Sequence, residues 1–537
     1  MLASVFNNIL AITHFPGISD YLSTTTYSPP LEESGQGATG RESHNSVSLF
    51  CSLRPTGEST EPIPHSPIHT LNDDVLLNIF HLYRLDVQHV YTYDGLPDFY
   101  LRGQSWWYKL TQVCGRWRYL IFASPSQLRL HLLCTYGVSV AKMLAHSPPL
   151  PLTIYYDGEN RETTEEDEEI ILLALRHSDR VHYISLDLPP PKMRKIITTM
   201  DEQFPILERL YILSQTRGDG SLVLPRTFQA PLLRHFLLGG AALPIGSSLL
   251  TTTAGLVSLR LTNIPPSAYF PPTYLVTQLL LLPQLEILKI EFHSPLPNRD
   301  VERQLLATPI MPHVTLPNLR VFVVKGVSAY LEGLLRHIST PVLTRLYITF
   351  FNQLSFTVPR LLQFLATSET LSCNTVRLTF HNDSAQFMAF QPREDHSFWV
   401  NITCRHLDWQ VSSAAQILNT LQPVLSVVEK LTLLHIQPDL SSEWHNEVDR
   451  VLWRQLLRPF TNLETLRVHN KLIENLAHSL QTEDGEPQLE LLPNLKEVEY
   501  SGEVDVRDAF IPFIDERQVA GHPVNLTVDN DHSDIYI

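Results

Sequence analysis

Histidine is the residue type in this chain with the most evident capacity to bind a metal. There are 23 histidines among 537 residues, and three residues separate His65 from His69. Both belong to a proline-containing linker, however, where a preformed metal site is not expected. His435, His445 and His469 fall on different predicted elements, so nothing in the sequence brings their imidazoles together. We therefore predict that the chain binds no metal.

Catalytic sequence motifs are the second place to look for chemistry. The chain contains no P-loop, no Gly-x-Ser-x-Gly elbow, no His-Glu-x-x-His and no Cys-x-x-Cys. Gly239 and Gly240 lack the further glycines of a phosphate-binding loop, so we predict a turn there. The acidic run 165–169 opens an apolar helix, where carboxylates stabilise the N-terminal end of the dipole. We predict that the chain is not an enzyme and needs no cofactor. The alternative, a hydrolase or transferase on an unrecognised α/β fold, requires a deep pocket with perturbed titratable groups.

Charge and cysteine usage exclude further classes of function. The 40 basic residues against 56 acidic ones give a net charge of −16, whereas nucleic-acid binding needs a dense basic face. No apolar run is long enough to span a membrane. We therefore expect no nucleic acid and no membrane as partner. The cysteines have no paired spacing, which indicates a reducing compartment, cytoplasmic or nuclear. They are Cys51, Cys114, Cys134, Cys373 and Cys404.

Two amphipathic helices are predicted within 71–121. In the first, Asn72 can cap the helix, and Asp73 and Asp74 lie in the first turn. The second follows Ser105, a candidate cap, and ends before Pro125. Apolar residues recur at helical spacing in both. They are Val75, Leu76, Ile79 and Phe80 in the first helix, and Leu110, Val113, Cys114, Trp117, Leu120 and Ile121 in the second.

This stretch resembles an F-box, of the divergent kind found in large fungal families. The matching positions are Leu71, Val75, Leu76, Ile79 and Phe80 in the first part, and Leu110, Val113, Cys114, Trp117 and Arg118 in the second. Asn72 replaces the usual proline, Gly115 replaces the usual Arg or Lys, and the link 86–104 is longer than in a compact F-box. The resemblance implies docking onto a Skp-type adaptor of a cullin-based ubiquitin ligase. The implied adaptor-binding residues are Leu71, Val75, Leu76, Ile79, Phe80, Leu110, Val113, Cys114, Trp117 and Leu120.

From Val181 onward, one apolar pattern recurs: an apolar residue, two others, an apolar residue, one other, an apolar residue. The copies begin at Val181, Leu207, Leu233, Leu256, Leu285, Leu319, Leu343, Cys373, Val428, Leu463 and Leu495. Each predicts a short strand, and helices are predicted at 329–338, 360–366, 413–421, 446–457, 471–480 and 507–518. One strand–helix unit cannot bury its apolar face alone, so the copies must stack.

The pattern resembles irregular leucine-rich repeats. The resemblance implies an α/β fold in which a small N-terminal helical F-box-like unit precedes a curved leucine-rich-repeat-like solenoid, with parallel strands on its concave side. A doubly wound α/β domain is the alternative, since it also alternates strands with helices. The predicted organisation is a disordered segment at 1–62, the F-box-like domain at 63–134, a connecting segment at 135–177, the repeats at 178–528 and an acidic tail at 529–537.

Alternate strand positions should point to the concave surface. They are Ser185, Tyr211, Arg260, Lys289, Val323, Tyr347, Thr432, Arg467 and Glu497. Polar, charged and aromatic side chains of this kind are typical of protein recognition. The candidate substrate-binding residues among them are Tyr211, Arg260, Lys289, Tyr347 and Arg467.

Two functions follow from these readings. In the first, the chain is the substrate-recognition adaptor of a Skp-cullin-F-box ubiquitin ligase, with the F-box-like hairpin on the adaptor and the repeats on a protein substrate. No catalytic residue is then needed, because holding a target near the conjugating enzyme acts through effective concentration. In the alternative, the chain is a repeat scaffold with a degenerate F-box that binds no adaptor.

Overall fold

The computed structural model describes most of the chain, in ten stretches. These are residues 70–88, 106–158, 162–214, 222–295, 313–392, 396–436, 448–469, 472–481, 491–501 and 508–528. The predicted disordered segment 1–62 and acidic tail 529–537 lie outside them. The chain divides into two compact units, one ending at Leu130 and the other beginning at His131. Within the described ranges, no helix combines the length and the apolar character needed to cross a membrane.

The first unit is helical. Its helices are α1 (Asp73–Gln88), α2 (Trp106–Thr111), α3 (Gly115–Ala123) and α4 (Pro125–Leu128). The predicted cap of α1 is confirmed, because the Asn72 Oδ1 accepts the backbone N–H of Val75 at 2.9 Å. Ser105, the predicted cap of the second helix, lies outside the described residues.

The prediction of a single helix over 106–121 was wrong. The chain turns at Gln112 and Val113, and extended Cys114 (φ −159°) begins a new helix by accepting the N–H of Trp117 on its Sγ at 3.5 Å. The Arg118 Nε donates to the carbonyl of Thr111 at 3.0 Å, which satisfies the end of α2. Because the apolar spacing continues across this break, periodicity alone could not reveal it.

The second unit is built on a 16-stranded sheet. Its strands, in chain order, are β1 (Leu132–Cys134), β2 (Leu152–Asp157), β3 (Val181–Asp187), β4 (Arg209–Leu213), β6 (His235–Gly239), β8 (Ser258–Ile264), β9 (Ile287–Phe292), β11 (Val321–Gly326), β13 (Arg345–Phe350), β14 (Thr375–Phe380), β15 (Ser384–Phe390), β16 (Ser397–Thr403), β17 (Lys430–His435), β18 (Thr465–His469), β19 (Glu497–Ser501) and β20 (Asn525–Val528). Two small parallel pairs lie beside it, β5 (Leu222–Val223) with β7 (Ala241–Ala242) and β10 (Val314–Thr315) with β12 (Ile338–Ser339).

Helices connect most of the strands. They are α5 (Val140–His146), α6 (Glu165–Leu175), α7 (Pro190–Thr199), α8 (Ser248–Thr252), α9 (Pro272–Leu279), α10 (Ser328–Leu335), α11 (Pro359–Thr367), α12 (Leu407–Thr420), α13 (Gln422–Leu425), α14 (Arg450–Leu457), α15 (Ile473–Leu480) and α16 (Ile511–Val519), with 3-10 turns at Pro266–Ala268 and Glu369–Leu371. Pro512 lies in the first turn of α16, where its missing N–H is tolerated, so the predicted capping helix begins there.

Every copy of the repeated apolar pattern ends in a strand, as predicted. In β9, for example, Leu288 and Ile290 are fully buried, and Leu285 before the strand is buried too. Asn318, which precedes the copy that begins at Leu319, donates its Nδ2 to the carbonyl of Pro283, one repeat earlier, at 3.1 Å. Adjacent turns are therefore joined by a side chain, in addition to the pairing of their strands.

The order of the strands departs from a regular repeat array at one place. The sheet runs β1-β2-β3-β4-β6-β8-β9-β11-β13-β16-β15-β14-β17-β18-β19-β20. After β13 the chain crosses to β14, returns through β15 and β16, and only then continues to β17. Strand β15 is antiparallel to both of its neighbours, while the other neighbours in the sheet pair in parallel. A purely parallel array was therefore wrong for 375–403.

The predicted connecting segment 135–177 belongs to the sheet unit rather than linking two domains. It contains β2, which pairs in parallel with β1 and β3, together with α5 and α6. The apolar residues of Leu152–Asp157 are buried, as in the later strands. Sheet pairing thus begins at Leu132, inside the range predicted for the F-box-like domain.

Candidate binding face of the sheet

Side chains on the two faces of the long sheet differ in burial. At alternate strand positions they are buried on the face that the helices cover. Ala385 and Phe387 of β15 lie on that face, where they line a small apolar cavity with Ala414 and Leu418 of α12. The intervening positions, among them Lys289, are mostly half-buried and form what we call the polar face.

Strand register aligns the five predicted substrate-binding residues in a single row. Tyr211, Arg260, Lys289 and Tyr347 are joined through Leu237 and Val323 across consecutive strands. Beyond Tyr347, the row continues through Trp399, Met388, Arg377 and Thr432 to Arg467. This register places all five residues on one face of the sheet, and their role in binding stays a prediction.

The row is too long for one small-molecule site. Strands lie about 4.8 Å apart, so Tyr211 and Tyr347, five strands apart in the sheet order, are separated by about 24 Å along it. Arg467 is a further five strands away. The row does not bring its residues together around one point; it forms an extended surface suited to a polymer.

Opposite charges pair on this face in two places. The Lys289 Nζ lies 3.1 Å from the Glu291 Oε2, and the Arg467 Nε lies 3.9 Å from the Glu499 Oε2. Both pairs are partly exposed, so each contributes about 0–1 kcal/mol to stability. They leave these side chains available for exchange with a partner's charges.

Aromatic side chains lie at two places along the row. Tyr211, in the row, contacts the buried Tyr183 of β3, which lies outside the row, edge to face with ring centroids 5.7 Å apart. Tyr347 and Trp399 have centroids 5.8 Å apart at the point where the strand order reverses. The Trp399 Nε1 is buried and has no hydrogen-bond partner among the described residues. Half-buried aromatic residues of this kind are frequent anchors in protein interfaces.

The surroundings of the row alter the pKa of His235. Burial and, to a smaller extent, the neighbouring Arg209, Arg234 and Arg260 together lower its pKa to about 4, against an opposing effect of Glu208. The ring is therefore neutral at neutral pH.

Sequence reasoning missed the polar-face residues of the reversed strands. Met388 and Trp399 occupy the middle of the row, but the register between 379 and 426 could not be read from the repeats. Arg377 belongs to the copy that begins at Cys373 and was not named as a candidate. The available signal was the strict alternation in Phe398–Ile402. Phe398, Val400 and Ile402 are buried, whereas Trp399 and Asn401 are not. Glu497, predicted for this surface, lies on the same face one row away from Glu499.

Most of the residues implied to bind a Skp-type adaptor belong to the interior of the first unit. Leu76, Ile79, Phe80, Leu110, Trp117 and Leu120 are at most 6% exposed. Phe80 and Trp117 contact edge to face with centroids 4.9 Å apart. Leu71, Val113 and Cys114 are half-buried, and Val75 is 38% exposed.

An apolar strip remains on the surface of α1. Val75 and Leu82 are 38% and 49% exposed and lie seven residues apart, so they share one side of the helix. The start of α1 is held by Arg116, which lies 2.6 Å from the Asp73 carboxylate and donates to the carbonyl of Leu71 at 2.6 Å. These contacts order the helix that presents the strip.

The remaining chemical candidates take structural roles. The acidic run 165–169 is part of a capping box, in which Thr164 and Asp167 exchange hydrogen bonds at 3.2 and 2.9 Å. Gly240, with φ of 68°, forms the left-handed bend after β6. His435 and His469 lie on opposite faces of neighbouring strands. His65, His69, His445 and Cys51 lie outside the described residues, among which no cluster of metal-ligating side chains occurs.

Comparison with known proteins adds little. No protein-family model matches this chain, and no curated protein sequence matches it. One solved structure that it matches is a leucine-rich repeat-containing protein from Legionella pneumophila. The two share 10% identity with a TM-score of 0.23, and the match covers 72% of this chain and 97% of that one.

Proposed function

We propose that this chain is a non-catalytic scaffold whose second unit binds a protein along the polar face. The single observation that carries this proposal is the continuous row from Tyr211 to Arg467, in which aromatic and charged side chains are aligned on half-buried strand positions. A surface of this length can contact many residues of a partner at once, and it resembles interfaces in its aromatic and arginine content.

The test is site-specific photo-crosslinking in cells. A photoreactive amino acid at Tyr347 should capture a reproducible set of proteins. The matched control carries the same group at Tyr274, a half-buried tyrosine on α9, and should not capture that set. Equal capture at both positions would contradict a binding role for the polar face.

A finer proposal concerns the first unit. We propose that this unit docks onto a Skp-type adaptor, so that the chain acts as a substrate-recognition adaptor of a ubiquitin ligase. It is supported by the F-box-like residues of 71–121 and by the exposed pair Val75 and Leu82 on α1. An exposed apolar helix side is a common docking element.

Co-purification with a Skp-type adaptor tests this finer proposal. Val75→Asp with Leu82→Asp should abolish capture while the unit stays folded, because both side chains are exposed. Val451→Asp, on an exposed position of α14, should leave capture unchanged. If the folded native chain captures no adaptor, the correct interpretation is that the chain is a repeat scaffold with a degenerate F-box.

A further inference from the structure

Positive charge is concentrated on the polar face between β4 and β18. The face carries one acidic side chain in the described strands of this region, Glu291. Its basic side chains there are Arg209, Arg260, Lys289, Lys325, Arg345, Arg377, Lys430 and Arg467. The whole chain has the opposite balance, 40 basic against 56 acidic residues. This face is therefore a basic surface on an acidic protein.

Several of these cations have no acidic partner. Arg260, Lys325 and Arg377 form no ion pair with any described residue. Lys325 lies over the ring of Phe351 at 5.6 Å, and Arg377 lies over Phe390 at 5.9 Å, and neither contact supplies a negative charge.

Polar groups without partners lie at the centre of the same surface. The Nε of Arg377, the Nε1 of Trp399 and the Oδ1 of Asn401 are buried and lack a hydrogen-bond partner among the described residues. A buried polar group left unpaired costs about 1–3 kcal/mol. If the side chains around Arg377 and Trp399 move on binding, acceptors from a bound chain can reach these donors and remove part of this cost.

Acidic side chains limit the basic surface at both ends. Asp157 and Asp187 lie on the polar face of β2 and β3, and Glu497 and Glu499 lie on that of β19. The basic region between them covers the eleven strands from β4 to β18, or about 48 Å along the sheet at about 4.8 Å per strand. An extended peptide of about 14 residues has this length.

From this charge distribution we propose that the polar face between β4 and β18 binds an extended acidic segment of a partner protein. The proposal rests on the proposed protein-binding function and names the chemistry of its partner. Carboxylates of the segment pair with Arg260, Lys325 and Arg377, and its apolar side chains pack on Tyr347 and Trp399. The acidic ends favour a segment of limited length over a long nucleic acid, whose phosphates would continue into Asp187 and Glu499.

The test uses the full-length chain and a fluorescein-labelled peptide of about 14 residues in which Glu and Ser alternate around one central Tyr. Fluorescence anisotropy should detect saturable binding that weakens as salt rises from about 0.05 to 0.3 M. The same peptide with Lys in place of Glu should not bind. Replacement of Arg260, Lys325 and Arg377 by Glu should weaken binding by at least about tenfold, because three favourable pairs become repulsive.

A matched charge reversal controls for net charge. Lys142, Arg194 and Arg226 are exposed and lie outside the strands of the sheet, so their replacement by Glu should change the affinity by less than about twofold. Because the Nε of Arg377 is buried, the pair Arg260→Glu with Lys325→Glu provides a second variant in case the triple variant does not fold. Circular dichroism checks the fold of each.

Four outcomes would overturn the proposal. The first is that the acidic peptide does not bind, and the second is that the two charge-reversed triple variants lose equal affinity for it. The third is that a thymidine oligonucleotide of equal length binds more tightly than the peptide. The fourth is a large gain in affinity for the peptide on deletion of the acidic residues 529–537, which would make this chain's own tail the occupant. If the peptide does not bind but crosslinking from Tyr347 persists, the protein-binding function stands and only its acidic partner is wrong.

Discussion

Replacement of Arg517 by Met should loosen the last repeat while leaving the middle of the sheet unchanged. Arg517 lies on α16 and is 2% exposed. Its Nη2 donates to the carbonyls of Leu491 and Leu492 at 2.6 and 2.8 Å, and its guanidinium lies over the ring of Phe513 at 5.3 Å. The side chain thus joins the final helix to the turn that begins β19.

The size of the effect follows from these contacts. Hydrogen bonds to a charged group contribute about 1.5–3 kcal/mol each, so two of them contribute about 3–6 kcal/mol. The cost of burying the cation, which also lowers the pKa of Arg517, offsets part of this amount. Met retains the apolar stem but leaves the buried carbonyl of Leu492 without its donor. We expect a net loss of about 2–3 kcal/mol.

Amide hydrogen exchange is the assay, because stability in a repeat array is largely local. A loss of about 2–3 kcal/mol should accelerate exchange in β19 and β20 by about 30- to 150-fold. Exchange in β9 and β11, many strands away, should change little. Arg194→Met on the exposed side of α7 is the control and should alter neither region. Unchanged exchange in β19, or equal acceleration in β9, would refute the reasoning.

Three further predictions concern single residues. Gly158→Ala should lower the free energy of unfolding by about 1–3 kcal/mol in urea titration, because its Cβ would lie 2.6 Å from a backbone carbonyl oxygen of β3. Gly255→Ala, with nothing within 4 Å of the new Cβ, should be neutral or slightly stabilising. His235 has a pKa of about 4 in the folded protein against an ordinary 6.5. Between these two pH values the unfolded state binds more protons than the folded state, so stability falls as the pH falls. His235→Asn should reduce that loss by about 1–2 kcal/mol, as measured by urea unfolding at several pH values. Cys134 is fully buried with its pKa raised to about 12 by burial, so iodoacetamide should modify it only on unfolding, whereas half-buried Cys114 should react in the native protein.

Contrary results would be informative in each case. Equal destabilisation by the two alanine substitutions would mean that the close approach at Gly158 is relieved by movement of the backbone. An unchanged pH profile in His235→Asn would mean that other groups cause the acid destabilisation. Rapid native alkylation of Cys134 would mean that β1 opens locally at little cost in free energy.

Local apolar spacing was enough to predict where most strands lie. Residues such as Leu346 and Ile348 are separated by one position and preceded by Leu343, and all three are buried. This holds because a strand has a side-chain period of two, so its buried face is written directly in the sequence. The same period correctly assigned Tyr347 to the polar face. Capping by Asn72 was predictable for a similar reason, since an N-cap acts on the residues next to it.

The position of β15 was not predictable from such local signals. Its residues alternate like those of any half-buried strand, and only pairing with β14 and β16 makes it antiparallel. Local signals were similarly limited in predicting the helical unit. Periodicity placed Phe80 and Trp117 on apolar helix sides, but it could not distinguish side chains packed in the interior from a surface such as Val75 and Leu82.

The sequence by itself therefore determined most of the strands, with their buried positions and the residue types that they place on the polar face. The tertiary structure decided the order of the strands, and with it which side chains became neighbours. Arg377 lies three strands from Tyr347 in the row, with Trp399 and Met388 between them, because β14, β15 and β16 enter the sheet in reverse order. The physical reason is that burial along a strand depends on spacing of a few residues, whereas pairing between strands depends on contacts among residues far apart in the chain.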